Sequence, residues 1–231
     1  LHALRRNSLT RSRHNVHHHY DLGNDFYKLW LDERMVYTCA YYDTPAAPLS
    51  DAQVAKLDHV CRKLQLEPGQ KVIEAGCGWG ALALHMAEHY GVEVIAYNNS
   101  REQVAYARER AAAAGRDDRV TFVEDDYRTI DTRCDAFVSV GMLEHVGRGS
   151  SKTLGALIKR VLKPDGFGLI HSIGRSFPHI PDARISNYIC PGGHIPSLGE
   201  AMAVFEPHKF SVLDVENLRL HYARTCAEWL T

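Results

Sequence analysis

Residues 71–81 read KVIEAGCGWGA: a short apolar run carrying one acid, Glu74, and then glycines at alternate positions, Gly76, Gly78 and Gly80. A buried strand that runs straight into such a turn is how an α/β chain brings its backbone against a bound nucleotide. Glycine permits φ above zero there and removes the Cβ that would stand in the ligand's way. The spacing of Gly76, Gly78 and Ala81 also fits a dinucleotide fingerprint. Three features turn the reading from NAD to S-adenosylmethionine (SAM). The alternation continues to Gly80, Glu74 sits inside the strand end, and the next strand, VEVIAYNNS, ends on Asn98 and Asn99 instead of a ribose-binding acid. A tight turn without a ligand is the competing reading of the loop by itself, so its neighbours decide.

Those neighbours alternate helix and strand. Ser50 and Gln53 form a capping box opening a helix to Leu66, with Val54, Leu57, Val60, Cys61 and Leu64 at helical spacing. Pro68-Gly69 ends it; strand 71–75, the glycine turn and a helix over 81–90 follow. Strand 92–97 precedes a second capping box, Ser100 with Gln103, and a helix ending near Gly115. Strands are expected at 120–123 and 134–140, with the acidic turn Glu124-Asp125-Asp126-Tyr127 after the first of these. A helix over 154–162 stops before Pro164-Asp165-Gly166, strand 167–173 follows, Ser197 with Glu200 caps a further helix, and a last strand covers 211–216. This order predicts an α/β fold with a doubly wound, mostly parallel sheet and a ligand beyond the carboxyl ends of its strands. Residues 1–49 read as an arm and an aromatic-rich cap, and 50–231 as a SAM-binding catalytic domain.

Lys and Arg number 27 against 28 Asp and Glu, so no global field points to nucleic acid, which is excluded as a partner. Arg5, Arg6, Arg11, Arg13 and His14 precede the first acid, Asp21, and read as a solvated arm or a contact for lipid phosphates. Cys39, Cys61, Cys77, Cys134, Cys190 and Cys226 are scattered without C-x-x-C pairs, as reduced cytosolic thiols are. No apolar stretch of about 20 residues exists to span a membrane. No signal peptide is visible, and the start at Leu1 without methionine leaves an N-terminal part expected upstream. His14, His17, His18 and His19 lack the spacing of a zinc site, so no metal is expected.

If the strands end as drawn, polar side chains converge on one rim: Glu74, Asn98 to Ser100, Asp126 with Tyr127, Glu144 with His145, and His171. Glu144 can cap the turn after its strand and His171 can be a satisfied core histidine; alternatively the two hold a small polar ligand or a proton. Tyr20, Phe26, Tyr27, Trp30, Tyr37, Tyr41 and Tyr42 make a hydrophobic cap. Some of these rings can face a cation, which a ring quadrupole stabilises by about 0.5–2 kcal/mol.

Eight segments in order, HYDLGNDFYKLWLD (19–32), MVYTCAYYD (35–43), AQVAKLD (52–58), GCGWGALA (76–83), SVGMLEHVG (139–147), LIHSIG (169–174), YICPGGHIPSL (188–198) and ENLRLHYART (216–225), closely resemble the cyclopropane fatty acid synthases. That SAM-dependent family includes the mycolic acid cyclopropane synthases. The resemblance, from about His19 to Trp229, implies a class I methyltransferase (Rossmann-like) fold acting on cis double bonds of acyl chains. Position by position it assigns Tyr37 and Thr38 to the methionine end of SAM, and Gly76, Cys77, Gly78, Trp79 and Gly80, after Glu74, to its amino-acid moiety. Asn98, Asn99, Ser100 and Gln103 follow the ribose, and Asp126 and Tyr127 lie beside the adenine. Cys39, Glu144, His171, Ile173 and Tyr222 match a pocket that holds bicarbonate. The implied chemistry is methyl transfer to the alkene, a carbocation on the chain, and loss of a proton from the new methyl to the held bicarbonate.

The implied partner is an unsaturated phospholipid or fatty-acyl chain, met by a cytoplasmic protein peripheral to the inner face of the membrane; a homodimer stays open. The family's Thr-x-Ser after the second strand is Asn98-Asn99-Ser100 here. Members generally continue for several dozen residues past the position of Trp229, and phospholipid-acting ones carry a preceding domain. A fatty-acyl C-methyltransferase giving a methyl or methylene branch is the alternative, followed by an amine N-methyltransferase and a non-catalytic SAM- or lipid-binding subunit.

Overall fold

A computed structural model describes residues 23–147, 149–178 and 193–231. The basic arm, the histidines before Tyr20, Tyr20 itself, Cys190 and part of the YICPGGHIPSL segment lie outside the described residues. Five parallel strands form the sheet: β1 (Lys71–Ala75), β2 (Glu93–Asn98), β3 (Val120–Glu124), β4 (Cys134–Val140) and β5 (Leu162–His171), in the order β3-β2-β1-β4-β5. The helices are α1 (Asn24–Tyr27), α2 (Leu49–Lys63), α3 (Ala81–Tyr90), α4 (Arg101–Ala113), α5 (Leu143–Val146), α6 (Ser151–Val161), α7 (Leu198–Ala201) and α8 (Arg219–Glu228).

Strand side chains alternate between faces, and here both faces are covered. Val72, Val94, Phe122 and Val138 join one core with Leu57 and Val60 of α2, Leu64 at its C-cap, Leu82 and Met86 of α3, and Val104 of α4. Ile73, Tyr97 and Phe137 join the opposite core with Leu154, Leu157, Ile158 and Val161 of α6. Continuous apolar runs such as KVI and AFVSV therefore make strands and not helices: each neighbour has its own core to enter.

Three expectations are corrected. The Ser50–Gln53 capping box is absent, because α2 begins two residues earlier with Pro48 as its cap, and Gln53 is buried with Nε2 donating to Thr38 O at 2.9 Å. Pro164-Asp165-Gly166 does not precede β5 but lies within it as an irregularity, between the pairs Cys134↔Leu162 and Ala136↔Phe167. A Cβ on Gly166 would sit 2.5 Å from Asp135 O, so glycine is what lets this kinked stretch lie against β4. Residues 211–216 form no strand and pair with none among the described residues. They are held instead by ion pairs of Lys63 with Asp214 and Glu216, and by a hydrogen bond between His59 Nε2 and Glu216 Oε2 at 2.7 Å. The Ser197–Glu200 capping box is present in both directions. Among the described residues no helix is long and apolar enough to cross a membrane.

Candidate active site

Beside β1 the connections leave in opposite directions to β2 and β4, and a crevice opens beyond the carboxyl ends of these strands. The turn out of β1 forms its floor. Gly76 N and Cys77 N both donate to Tyr97 O, at 2.9 and 3.2 Å, which ties the turn to the end of β2. Gly80, at φ +83°, starts α3; a Cβ there would lie 2.7 Å from Phe122 Cζ and 2.9 Å from Ala107 Cβ. The glycine thus lets α3 close against β3 and α4 while its turn stays under the crevice. The crevice holds about 1030 Å³ of space, partly open to solvent.

Every sequence-predicted cofactor residue lines this crevice except Gly80, Ser100 and Asp126. Ser100 Oγ accepts from Gln103 N at 3.4 Å and caps α4. The amide of Asn98 spans the site, donating to Gly78 O at 3.1 Å and Gln103 Oε1 at 2.8 Å, so the Gln103 side chain does not complete a capping box. Asp126 is turned inward. Burial would raise its carboxyl, but hydrogen bonds from Arg128 Nε (2.6 Å), Nη2 (2.7 Å) and N (3.0 Å) hold it below the usual carboxylate range. Its neighbour Asp125 lines the crevice instead, a difference of one residue that the run of three acids leaves undetermined.

The crevice also contains a buried carboxyl and a buried ammonium. Glu74 is 2 % exposed, and burial pushes its carboxyl up to about 8; one oxygen has no hydrogen-bond partner among the described residues. Lys56, absent from the sequence-predicted site, is 3 % exposed, and burial pushes its ammonium down to about 8. Its Nζ donates to Thr38 Oγ1 at 2.9 Å. A lysine in a helix ordinarily reads as solvated surface. The available signal was its place on the buried face of α2, three residues after Gln53 and four before Val60.

A second cluster adjoins the first. Glu144, in the short α5, is 4 % exposed and its carboxyl is raised by burial. Its Oε1 accepts from Ile173 N at 2.6 Å, while Oε2 has no hydrogen-bond partner among the described residues; the Ser172 hydroxyl, which donates to Ile173 O at 3.0 Å, lies close enough to oppose the rise. Burial also raises the Tyr222 phenol of α8, and Glu144, Tyr37 and Cys39 all lie within its electrostatic reach. Cys39 is buried, and burial pushes its thiol up to about 11, so it remains a thiol at neutral pH. His171 ends β5, and burial lowers its imidazole to about 4, with Lys56 acting in the same direction. It makes no hydrogen bond to Glu144 among the described residues.

Aromatic rings roof both clusters. Tyr37 lies 5.0 Å from Trp30, 5.2 Å from Trp229 and 5.7 Å from Tyr27, centroid to centroid, and Trp229 lies 6.1 Å from Tyr222. Trp79 Nε1 donates to Asn24 Oδ1 at 2.7 Å, fixing α1 over the glycine turn.

Residues 7–231 match the family described as mycolic acid cyclopropane synthetase. The chain is 43% identical over 212 residues to the cyclopropane-fatty-acyl-phospholipid synthase of Escherichia coli (strain K12), which covers 91% of this chain and 54% of that protein. It is 39% identical over 222 residues to a probable fatty acid methyltransferase of Pseudomonas putida, 93% of this chain and 56% of that protein. The chain therefore spans about half the length of both. The crystal structure of mycolic acid cyclopropane synthase CmaA1 complexed with SAH and CTAB superposes with a TM-score of 0.88 at 32% identity, over 94% of this chain and 81% of that one. With the parallel sheet, the glycine turn and the match over nearly its whole length, the chain belongs to the mycolic acid cyclopropane synthetase family and has the class I methyltransferase fold.

Proposed function

We propose that this protein is a cyclopropane fatty acid synthase, adding a SAM-derived methylene across a cis double bond of a phospholipid acyl chain. The observation that carries the proposal is the junction of two chemically different clusters through one short segment. Tyr37 and Thr38 line the glycine-turn crevice, and Cys39, next in sequence, lies in electrostatic reach of Tyr222, as does Glu144. The identity to the E. coli synthase supports the same reading.

The crevice fits SAM: the unpartnered Glu74 oxygen suits an ammonium, the backbone of 76–80 the amino-acid moiety, and Asn98, Asn99 and Gln103 the ribose hydroxyls. Tyr127 offers a ring to the adenine. When bound, SAM supplies a methyl group activated by a sulfonium. The alkene carbon bonds to that methyl as the carbon–sulfur bond breaks, leaving a cation on the acyl chain; ring closure then releases one methyl proton. The rings of Tyr37, Trp30 and Trp229 keep water from the cation, which water would convert to an alcohol.

The Glu144, Cys39, His171, Ile173 and Tyr222 cluster fits a held bicarbonate as the replaceable base. Glu144 Oε2 is the unpartnered acceptor for its hydroxyl, and the protonated Tyr222 is a donor to its oxygens. Because Ile173 N is spent on Glu144, its part is to orient that carboxylate. Peripheral contact with the inner face of the membrane follows from such a substrate.

The 39% identity to the P. putida protein favours one second reading, a fatty-acyl C-methyltransferase. Proton NMR of lipids recovered after incubating the full-length protein with SAM and cis-unsaturated phospholipid separates them. Upfield cyclopropyl protons are expected; exocyclic methylene or methyl-branch signals without them would overturn the synthase reading.

A further inference from the structure

Buried lysines are costly unless an anion meets them. Lys56 breaks that rule within this chain. No carboxylate among the described residues forms an ion pair with it, and Asp32, an acid within its electrostatic reach, is already held by Val36 N at 2.8 Å and Arg34 N at 3.3 Å. Among the described residues its one hydrogen bond goes to a neutral hydroxyl, Thr38 Oγ1, which leaves two ammonium protons for something else. Glu74 faces the same crevice with a buried oxygen lacking a partner. A buried carboxyl and a buried ammonium thus border one cavity with no hydrogen bond between them among the described residues. The ligand that satisfies both is a zwitterion, its ammonium toward the acid and its carboxylate toward the lysine.

We infer that Lys56 is the receptor for the ligand's α-carboxylate, paired across the crevice with Glu74 for the α-ammonium, and so sets the site's preference for an intact amino-acid end. The inference rests on the reading of the crevice as the SAM site. Thr38 acts as the guide that aims the ammonium, and Gln53, donating to Thr38 O at 2.9 Å, keeps that guide in place. Burial makes the contact count: a charge-assisted hydrogen bond is strong where water does not compete.

The test compares two ligands on three forms of the full-length protein by isothermal titration calorimetry. Decarboxylated SAM keeps the adenosine, sulfonium and amine and lacks only the carboxylate. Lys56→Met preserves side-chain length and removes the charge, and is expected to weaken SAM by about 10- to 100-fold while changing decarboxylated SAM by less than about threefold. Thr38→Val removes the guide but keeps the charge, so it should lower the preference for SAM by less than Lys56→Met does. Equal weakening of both ligands by Lys56→Met would make Lys56 a mere anchor for the 36–40 segment and overturn the inference, as would unchanged binding of both. Loss of the preference in Thr38→Val to the same extent as in Lys56→Met would also overturn it. A wild-type protein that binds neither ligand would instead overturn the SAM reading itself, which separates the two failures. Thermal melts of each variant without ligand verify that the fold is retained.

Discussion

Gly80 and Gly78 differ in what surrounds them, and that difference predicts a stability ratio. Both have positive φ, +83° and +54°, where an L side chain is strained by about 1–2 kcal/mol. At Gly78 a new Cβ meets nothing within 4 Å, so Gly78→Ala should cost about that strain and no more. At Gly80 the Cβ would also sit 2.7 Å from Phe122 Cζ, 2.8 Å from Cε1 and 2.9 Å from Ala107 Cβ. Neither neighbour has room to yield, since Phe122 is 4 % exposed and Ala107 is wholly buried between α4 and the sheet. Overpacking of a tight core adds roughly 1–3 kcal/mol, so Gly80→Ala should lose about 2–5 kcal/mol in all. Urea unfolding followed by far-ultraviolet circular dichroism measures both variants; the slopes should match the wild type while the midpoints separate. Equal losses for the two, or a loss below about 1 kcal/mol for Gly80→Ala, would refute the claim that close packing across this turn excludes a side chain.

Glu144→Gln should leave SAM affinity within about threefold and lower turnover by about 10²- to 10⁴-fold; a large loss of affinity measured by calorimetry would contradict its placement beside the proton acceptor. Adding bicarbonate to degassed full-length enzyme should raise the rate of cyclopropyl formation, and indifference to it would remove the ion from the mechanism. His171 is held neutral, its folded value of about 4 lying below the unfolded value of about 6.5. The unfolded chain therefore takes up the proton first as pH falls, so stability is full above about 6.5 and drains away down to about 4. Between pH 7 and pH 5 this group should cost roughly 1–2 kcal/mol, and His171→Gln should flatten that part of the urea-midpoint profile; an unchanged slope would show that His171 is not the group responsible.

The sheet was legible because its strands are short apolar runs punctuated by glycine and proline, and because both faces are buried, which frees them from a strict two-residue alternation. β4 was bounded correctly at both ends for that reason. Residues 211–216 misled because alternation in SVLDVE is a local signal, whereas a strand needs a partner, and Lys63 and His59 hold this segment by its acids instead. The cofactor crevice was legible at the glycine turn and at Asn98, where chemistry and position coincide. It was missed at Lys56, because a lysine reads as solvated even where its spacing from Gln53 and Val60 sets it on the buried face of α2. Asp125 and Asp126 show the finest limit: which of two adjacent acids turns inward depends on Arg128, two residues beyond, and on nothing in their own order.

The two clusters are kept in register by the segment that separates them. On one side Gln53 and Lys56 of α2 hold Thr38 by its carbonyl and its hydroxyl, both at 2.9 Å. On the other, α8 takes the next residues: Thr225 Oγ1 accepts from Ala40 N at 3.0 Å, His221 Nδ1 accepts from Tyr42 N at 2.9 Å, and Tyr41 stacks between His59 and His221 at 4.2 and 4.7 Å. The same helix supplies Tyr222, so the phenol beside Glu144 and the backbone that leads to the crevice are fixed by neighbouring turns. Thr38 to Ala40 is two residues, at most about 7 Å of extended chain. A reaction in which a methyl group is delivered and then loses a proton needs donor and acceptor about this close, and needs the distance constant. Placing the tethers on two helices, with only Cys39 between the tethered residues Thr38 and Ala40, meets that requirement more directly than an arrangement of loops.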